Sequence, residues 1–218
     1  MITSRPNFLG KIIQEAQEIK DDVWYDYLLK KGLFGYTLRG DEFSVIIDGS
    51  VKTAESLSLQ ISQTIPEGTP IEIAEKLGLT VEFLSEELRE PFLYFGMFYP
   101  QEKKIVLNQS VLDFLKQMIY QNGLEKTISS DLLVDVICYH EIFHALEEMT
   151  PGIFTRSTMR KKKWLGIFPY RSGFAGASEV GAVHFSKLMS GLDYSPCIYE
   201  NLLLLGLQKL SEDQILPQ

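Results

Sequence analysis

Cysteine is scarce in this 218-residue chain. Cys138 and Cys197 are the only two, far apart and without CxxC spacing. That excludes a disulfide framework and a thiolate zinc site. Long apolar runs are missing too. None approaches the roughly 18 residues that a membrane-spanning helix needs. Residues 1–10 show no apolar stretch behind a basic one, so no secretory signal is expected. Positive charge is in deficit, 21 Lys and Arg against 29 Asp and Glu, for a net charge of −8. Such a chain is a poor general ligand for nucleic acid or for an anionic membrane. Repeats and low-complexity segments are absent. The chain does have 45% hydrophobic residues and 11% aromatics, enough to bury a core and exclude wholesale disorder. These features predict a soluble cytoplasmic protein.

The apolar pattern predicts helices around a small sheet. Leu9, Ile12, Ile13, Ala16, Ile19, Val23 and Tyr27 recur at helical spacing between Phe8 and Leu29, before Gly32 and Gly35. Phe43 to Ile47 reads as a strand entering an Asp48-Gly49 turn, and Thr53 to Ile65 as a helix stopped by Pro66. Thr69 and Pro70 open a short helix that Gly78 ends, and a strand follows at Thr80 to Leu84. Phe92 to Tyr99 and Lys103 to Asn108 flank a Pro-led turn, which suggests an antiparallel hairpin. Further helices are expected at Ser110 to Tyr120, Asp131 to Met149, Ala177 to Met189 and Tyr199 to Leu210. The class is α+β, with a small antiparallel sheet packed against helices.

Charge is unevenly placed. No acidic residue lies between Glu148 and Glu179, while Arg156, Arg160, Lys161, Lys162, Lys163 and Arg171 supply +6, against −14 for the remainder. Such a run is ordinarily a solvated loop. Its alternatives are a flap that grips an acidic substrate segment, or a weak nucleic-acid contact.

The chemistry concentrates in His140-Glu141-Ile142-Phe143-His144, an H-E-x-x-H pattern inside the best-defined helix. Residues four apart share a helix face, so both imidazoles can reach one metal ion. Glu141 lies about 100° round, near enough to reach a water held there without ligating. Zinc in such a site lowers the pKa of water toward neutrality, and Glu141 can serve as general base. The alternative is a hydrogen-bonded pair of core histidines. Only three histidines occur in the chain, which makes an accidental pattern rare.

A catalytic zinc commonly has three protein ligands. Glu147 and Thr150 occupy the positions where a longer metzincin motif would have glycine and histidine, so the third ligand must come from another element. Glu179 is the leading candidate, with the small face of Ala182, Val183 and Ser186 following it; its alternative is a solvated surface glutamate. His184, about 140° round from Glu179, is either a packed side chain or a transition-state donor. Tyr170 and Arg171 are candidates for oxyanion stabilisation, or ordinary loop residues. Glu147 or Glu148 could orient a ligand imidazole, although a solvated face is the commoner fate. Cys138 reads as a small buried hydrophobe.

Several pieces in order resemble the ImmA/IrrE family of zinc-dependent, gluzincin-like metallopeptidases. Pro70 to Val81 is similar to the family's opening helix and strand, and Phe98 to Asn108 to its hairpin. The His140 to His144 motif follows, then Glu179-x-x-Ala182-x-x-Phe185, similar to the block that carries the third ligand. Within it Val183 stands where the family commonly has asparagine. The resemblance covers residues 51–193, leaving 1–50 as a helical extension and 194–218 as a helical tail. It implies a zincin-like domain with Zn²⁺ held by His140, His144 and Glu179, and Glu141 as base. It further implies a cytoplasmic endopeptidase whose metal-activated water attacks a peptide bond in a regulatory protein, typically a DNA-binding repressor. No helix-turn-helix module is evident here, so that partner would be a separate chain, with no membrane partner. Two other readings remain open. One is a catalytically silent metal-binding sensor or interaction module of the same fold. The other is a different gluzincin group, such as the toxin-type peptidases related to anthrax lethal factor.

Overall fold

The computed structural model describes residues 6–32, 38, 40–89, 93–157, 159–164, 168–173 and 175–217, with backbone alone at 6, 7, 159–164, 168–173 and 175. Three helices lead the chain: α1 (Pro6–Glu18), α2 (Asp21–Lys31) and α3 (Asp41–Thr64). The apolar stripe read across Phe8 to Leu29 is shared by the first two, and Leu9, Ile13, Ala16 and Leu29 are fully buried. The third helix departs from expectation. The strand expected at Phe43 to Ile47 and the turn expected at Asp48-Gly49 are both part of it. Ile46, Ser50, Ala54, Leu57 and Ile61 form one buried stripe with helical period. Gly49 is there for close packing, because a Cβ would fall 2.2 Å from the Phe154 ring. The boundary expected after residue 50 therefore falls inside a continuous helix.

The next element matches its signals. Thr69 caps α4 (Pro70–Lys76) in a capping box: its hydroxyl accepts from the Glu72 amide at 3.3 Å, and its amide donates to the Glu72 carboxylate at 2.7 Å. Gly78, at φ +78°, turns the chain into β1 (Thr80–Leu84). Next come β2 (Gly96–Tyr99) and β3 (Lys104–Asn108), joined by the expected Pro100-led turn; Phe92 lies outside the described residues. The strand order is β1-β3-β2, with β2 antiparallel and β1 parallel to β3. The sheet is thus mixed rather than antiparallel. The cause is the connection: after β1 the chain crosses over before β2, so β1 and β3 run the same way. The class is α+β. Central β3 is buried, and β2 is an edge strand.

Asn108 caps α5 (Gln109–Gln121) by accepting from the Val111 amide at 3.4 Å. After it come α6 (Leu133–Met149) and the short α7 (Phe154–Ser157). The basic segment, read as a loop, contains a two-stranded ribbon, β4 (Met159–Trp164) and β5 (Phe168–Gly173), with Lys162 opposite Tyr170 and Lys161 opposite Arg171. Then come α8 (Ala175–Ser190), α9 (Cys197–Gly206) and a single 3-10 turn at Glu212–Gln214. The eighth packs between α6 and α3. Gly181 permits its approach to α6, since a Cβ there would lie 2.4 Å from the Phe143 ring. One apolar core joins Leu9 and Trp24 near one end of the chain to Leu205 and Ile215 near the other. Among the described residues no helix is long and apolar enough to cross a membrane.

Candidate metal centre

Eleven of the 17 residues of α6 are buried, on all sides of the helix. The two histidines lie together on a partly open strip of it, their side chains each 22% exposed. As the i, i+4 spacing requires, the rings lie together, 4.9 Å between centroids and 3.2 Å between the Nε2 atoms. Close packing of α8 brings Glu179 over them. Its Oε2 lies 3.5 Å from His140 Nε2, and its Oε1 3.8 Å from His144 Nε2. One donor atom from each residue falls within 4.8 Å of the other two. With bonds of about 2.0–2.1 Å, tetrahedral donors lie about 3.3–3.4 Å apart. Two imidazole nitrogens and a carboxylate at these separations fit a zinc ion with small adjustments.

A second layer orients the first. Glu147, 3% exposed, accepts a hydrogen bond from Ser178 Oγ at 2.5 Å and lies 3.2 Å from His144 Nδ1. With Nδ1 engaged, Nε2 is the nitrogen that faces the cluster, and its lone pair is offered to an ion once that nitrogen gives up its proton. The solvated fate weighed for Glu147 does not occur; the orienting role fits. Its signal was the three-residue step from His144. No local pattern in the sequence marks Ser178, and Gly96 is marked only by its place in a strand pattern.

Glu141 is 6% exposed, against β2. Gly96 makes room for it: a Cβ at 96 would meet Glu141 Cγ at 2.9 Å, Ile137 Cγ2 at 3.0 Å and Leu107 Cδ2 at 3.1 Å. A glycine within a strand pattern often marks such a close approach. Gly96→Ala should therefore lower stability by about 1–3 kcal/mol, as an overpacked core does. An unchanged denaturation midpoint would show that the contact is not tight.

The electrostatics follow from five titratable groups in one place. Burial pushes the Glu141 carboxyl up, and nearby Glu179 adds to this, while His140, His144 and the Phe98 amide pull it partly back. The Glu179 side chain is half exposed, at 51%; crowding by its neighbours opposes its ionisation, but the hydrogen bond from His140 and the charges of both imidazoles outweigh this, drawing that carboxyl down to about 2. His144 also feels burial, which acts downward. The hydrogen bond to Glu147 and the carboxylates of Glu179 and Glu141 prevail, lifting it to about 9. Without a cation, then, His144 is protonated at neutral pH. A divalent ion must displace that proton, so zinc binding near pH 7 should release about one proton from this imidazole. Apparent affinity should rise with pH until about 9, the point at which His144 is already neutral. Calorimetric titration in two buffers of different ionisation enthalpy reads this directly, and equal heats would contradict it.

The cluster opens into a cavity of about 700 Å³, whose wall includes Met97 and Phe98 of β2 and Arg156 of α7. Of the two readings of His184, packed side chain or transition-state donor, its position fits the first. Its Nδ1 hydrogen-bonds the Tyr25 hydroxyl at 2.6 Å and its Nε2 sits 4.0 Å from Glu55, so it faces α2 and α3 rather than the metal cluster. The 140° offset from Glu179 on a helix packed on two sides produces this. Burial holds its pKa down. Tyr170 and Arg171 lie on β5, their side chains outside the described residues. Cys138 and Cys197 are buried free thiols, pushed up to about 12 chiefly by burial. Comparison with protein-family models, with curated proteins and with solved structures finds no match for this chain.

Proposed function

We propose that this chain is a zinc-dependent endopeptidase of the ImmA/IrrE type, with a zincin-like fold, acting in the cytoplasm. One observation carries the reading: His140, His144 and Glu179 converge on one point, with buried Glu141 alongside, in the wall of an open cavity. The bound ion supplies Lewis acidity and brings the pKa of water near neutrality. The chain's own residues do the rest. Glu141, its carboxyl held above the usual carboxylate range, takes a proton and hands it to the leaving amine. Glu147 and Ser178 hold the His144 ring in its ligating orientation. Among the described residues β2 is an edge strand beside the cluster; its Phe98 amide serves Glu141, and its other outward main-chain groups are offered to an extended peptide. A purely structural or sensory site has no use for Glu141, which favours the endopeptidase over a silent module. The substrate is a regulatory protein on a separate chain, a DNA-binding repressor being the type the resemblance implies. Sequencing of new protein N-termini in cells producing this chain tests the reading. Cleavage of a regulator that requires the intact site is expected, and a cleavage pattern identical with and without the chain would sink it.

A further inference from the structure

The open cavity has an apolar branch. A second cavity, of about 270 Å³, shares Gly96, His140, Glu141 and Glu179 with the first, so the two meet at the metal cluster. Its walls include Val136 and Ile137, one turn before His140, and Val183, one turn after Glu179. Phe95, Leu203 and Leu204 add further apolar wall, beside Tyr94 and others. Four of these are at most 9% exposed: Val136, Ile137, Val183 and Leu203. Away from the metal cluster and Tyr94, three polar side chains in the walls have partners. Ser186 donates to the Val183 carbonyl at 3.0 Å, and the Tyr199 hydroxyl donates to the Ser129 carbonyl at 2.7 Å. Glu200 receives a hydrogen bond from Lys31 at 2.8 Å. The branch therefore offers shape and apolar surface, with few free hydrogen-bonding groups.

We infer that this branch is a specificity pocket for one bulky apolar side chain, aliphatic or aromatic, on the residue adjoining the bond that is cut. The inference rests on the endopeptidase reading and names its substrate class. A peptide lying along β2 passes the cluster where the two cavities join, so the side chain beside its reacting carbonyl is the one that reaches the branch. The volume lies just below the range that holds a drug-sized ligand, which suits a single side chain. A leucine or phenylalanine side chain gains from leaving water here, whereas a polar one loses water and finds no partner. The α9 tail, outside the segment that carries the metal-binding pattern, thus sets the preference through Leu203 and Leu204.

The test uses zinc-loaded full-length protein and small hydroxamic acids that differ in one side chain: methyl, isobutyl, benzyl or guanidinopropyl. Calorimetry measures their affinities without any turnover. The isobutyl and benzyl compounds should bind roughly 10-fold or more tighter than the methyl compound. Val183→Phe, filling the branch from α8, should reduce that ratio to about 3-fold or less, and Leu204→Trp should do so from the more exposed α9 side. Equal affinities across the series would overturn the pocket and leave the metal-centred reading standing. Tightest binding by the guanidinium compound would replace an apolar preference with a basic one. Failure of every hydroxamate to bind would sink the metal-centred reading, and this inference with it.

Discussion

Glu141→Gln should lower peptide hydrolysis by about 10²- to 10⁴-fold, the usual contribution of a positioned acid–base group. Zinc content should stay at the wild-type level. Glu141 is outside the donor triangle formed by His140, His144 and Glu179, so its loss removes no ligand. Glutamine has nearly the same shape, which matters under Gly96, where the fit to Glu141 Cγ is close. The amide cannot take up a proton, and that is the function removed. Stability adds a second signature. Burial raises the Glu141 carboxyl above its ordinary value of 4.5, so its ionisation costs folded-state stability as pH rises through that interval. A neutral amide removes the cost, and the metal-free variant should melt no lower than wild type at pH 7. Activity within about 3-fold of wild type would take Glu141 out of the mechanism.

Glu179→Ala should weaken zinc binding roughly 10-fold or more, the minimum for losing a direct contact to the ion, while His184→Ala should keep the metal. The two residues share α8 but face different ways. Glu179 lies within 3.5–3.8 Å of both ligand nitrogens. His184 is engaged with Tyr25 on α2. Removing it leaves a buried hydroxyl without its partner, at a cost of about 1–3 kcal/mol, so His184→Ala should show as lowered stability rather than lost metal. Zinc lost with His184 and retained without Glu179 would reverse the assignment.

The sequence was most legible where the determinant is local. The i, i+4 histidines of α6, the Thr69–Glu72 capping box and the helix that bears Glu179 all follow from neighbours in the chain. Long-range determinants were less readable. Burial of Glu147 depends on Ser178, 31 residues away, and the setting of His184 on Tyr25, 159 residues away. Parallel pairing of β1 with β3 is likewise a matter of crossover, which no strand pattern announces. Gly49 misled because Asp-Gly ordinarily marks a turn, whereas here it lets a ring pack against a helix. The β4–β5 ribbon went unread because Arg160 to Lys163 lack the alternation of apolar and polar residues that marks a strand.

Metal analysis of the purified full chain, loaded with zinc and then desalted, bears most directly on the centre formed by His140, His144 and Glu179. The expected result is close to one zinc per chain in the wild type and in Glu141→Gln, with marked loss in Glu179→Ala. A folded wild-type protein that emerges free of metal would contradict it.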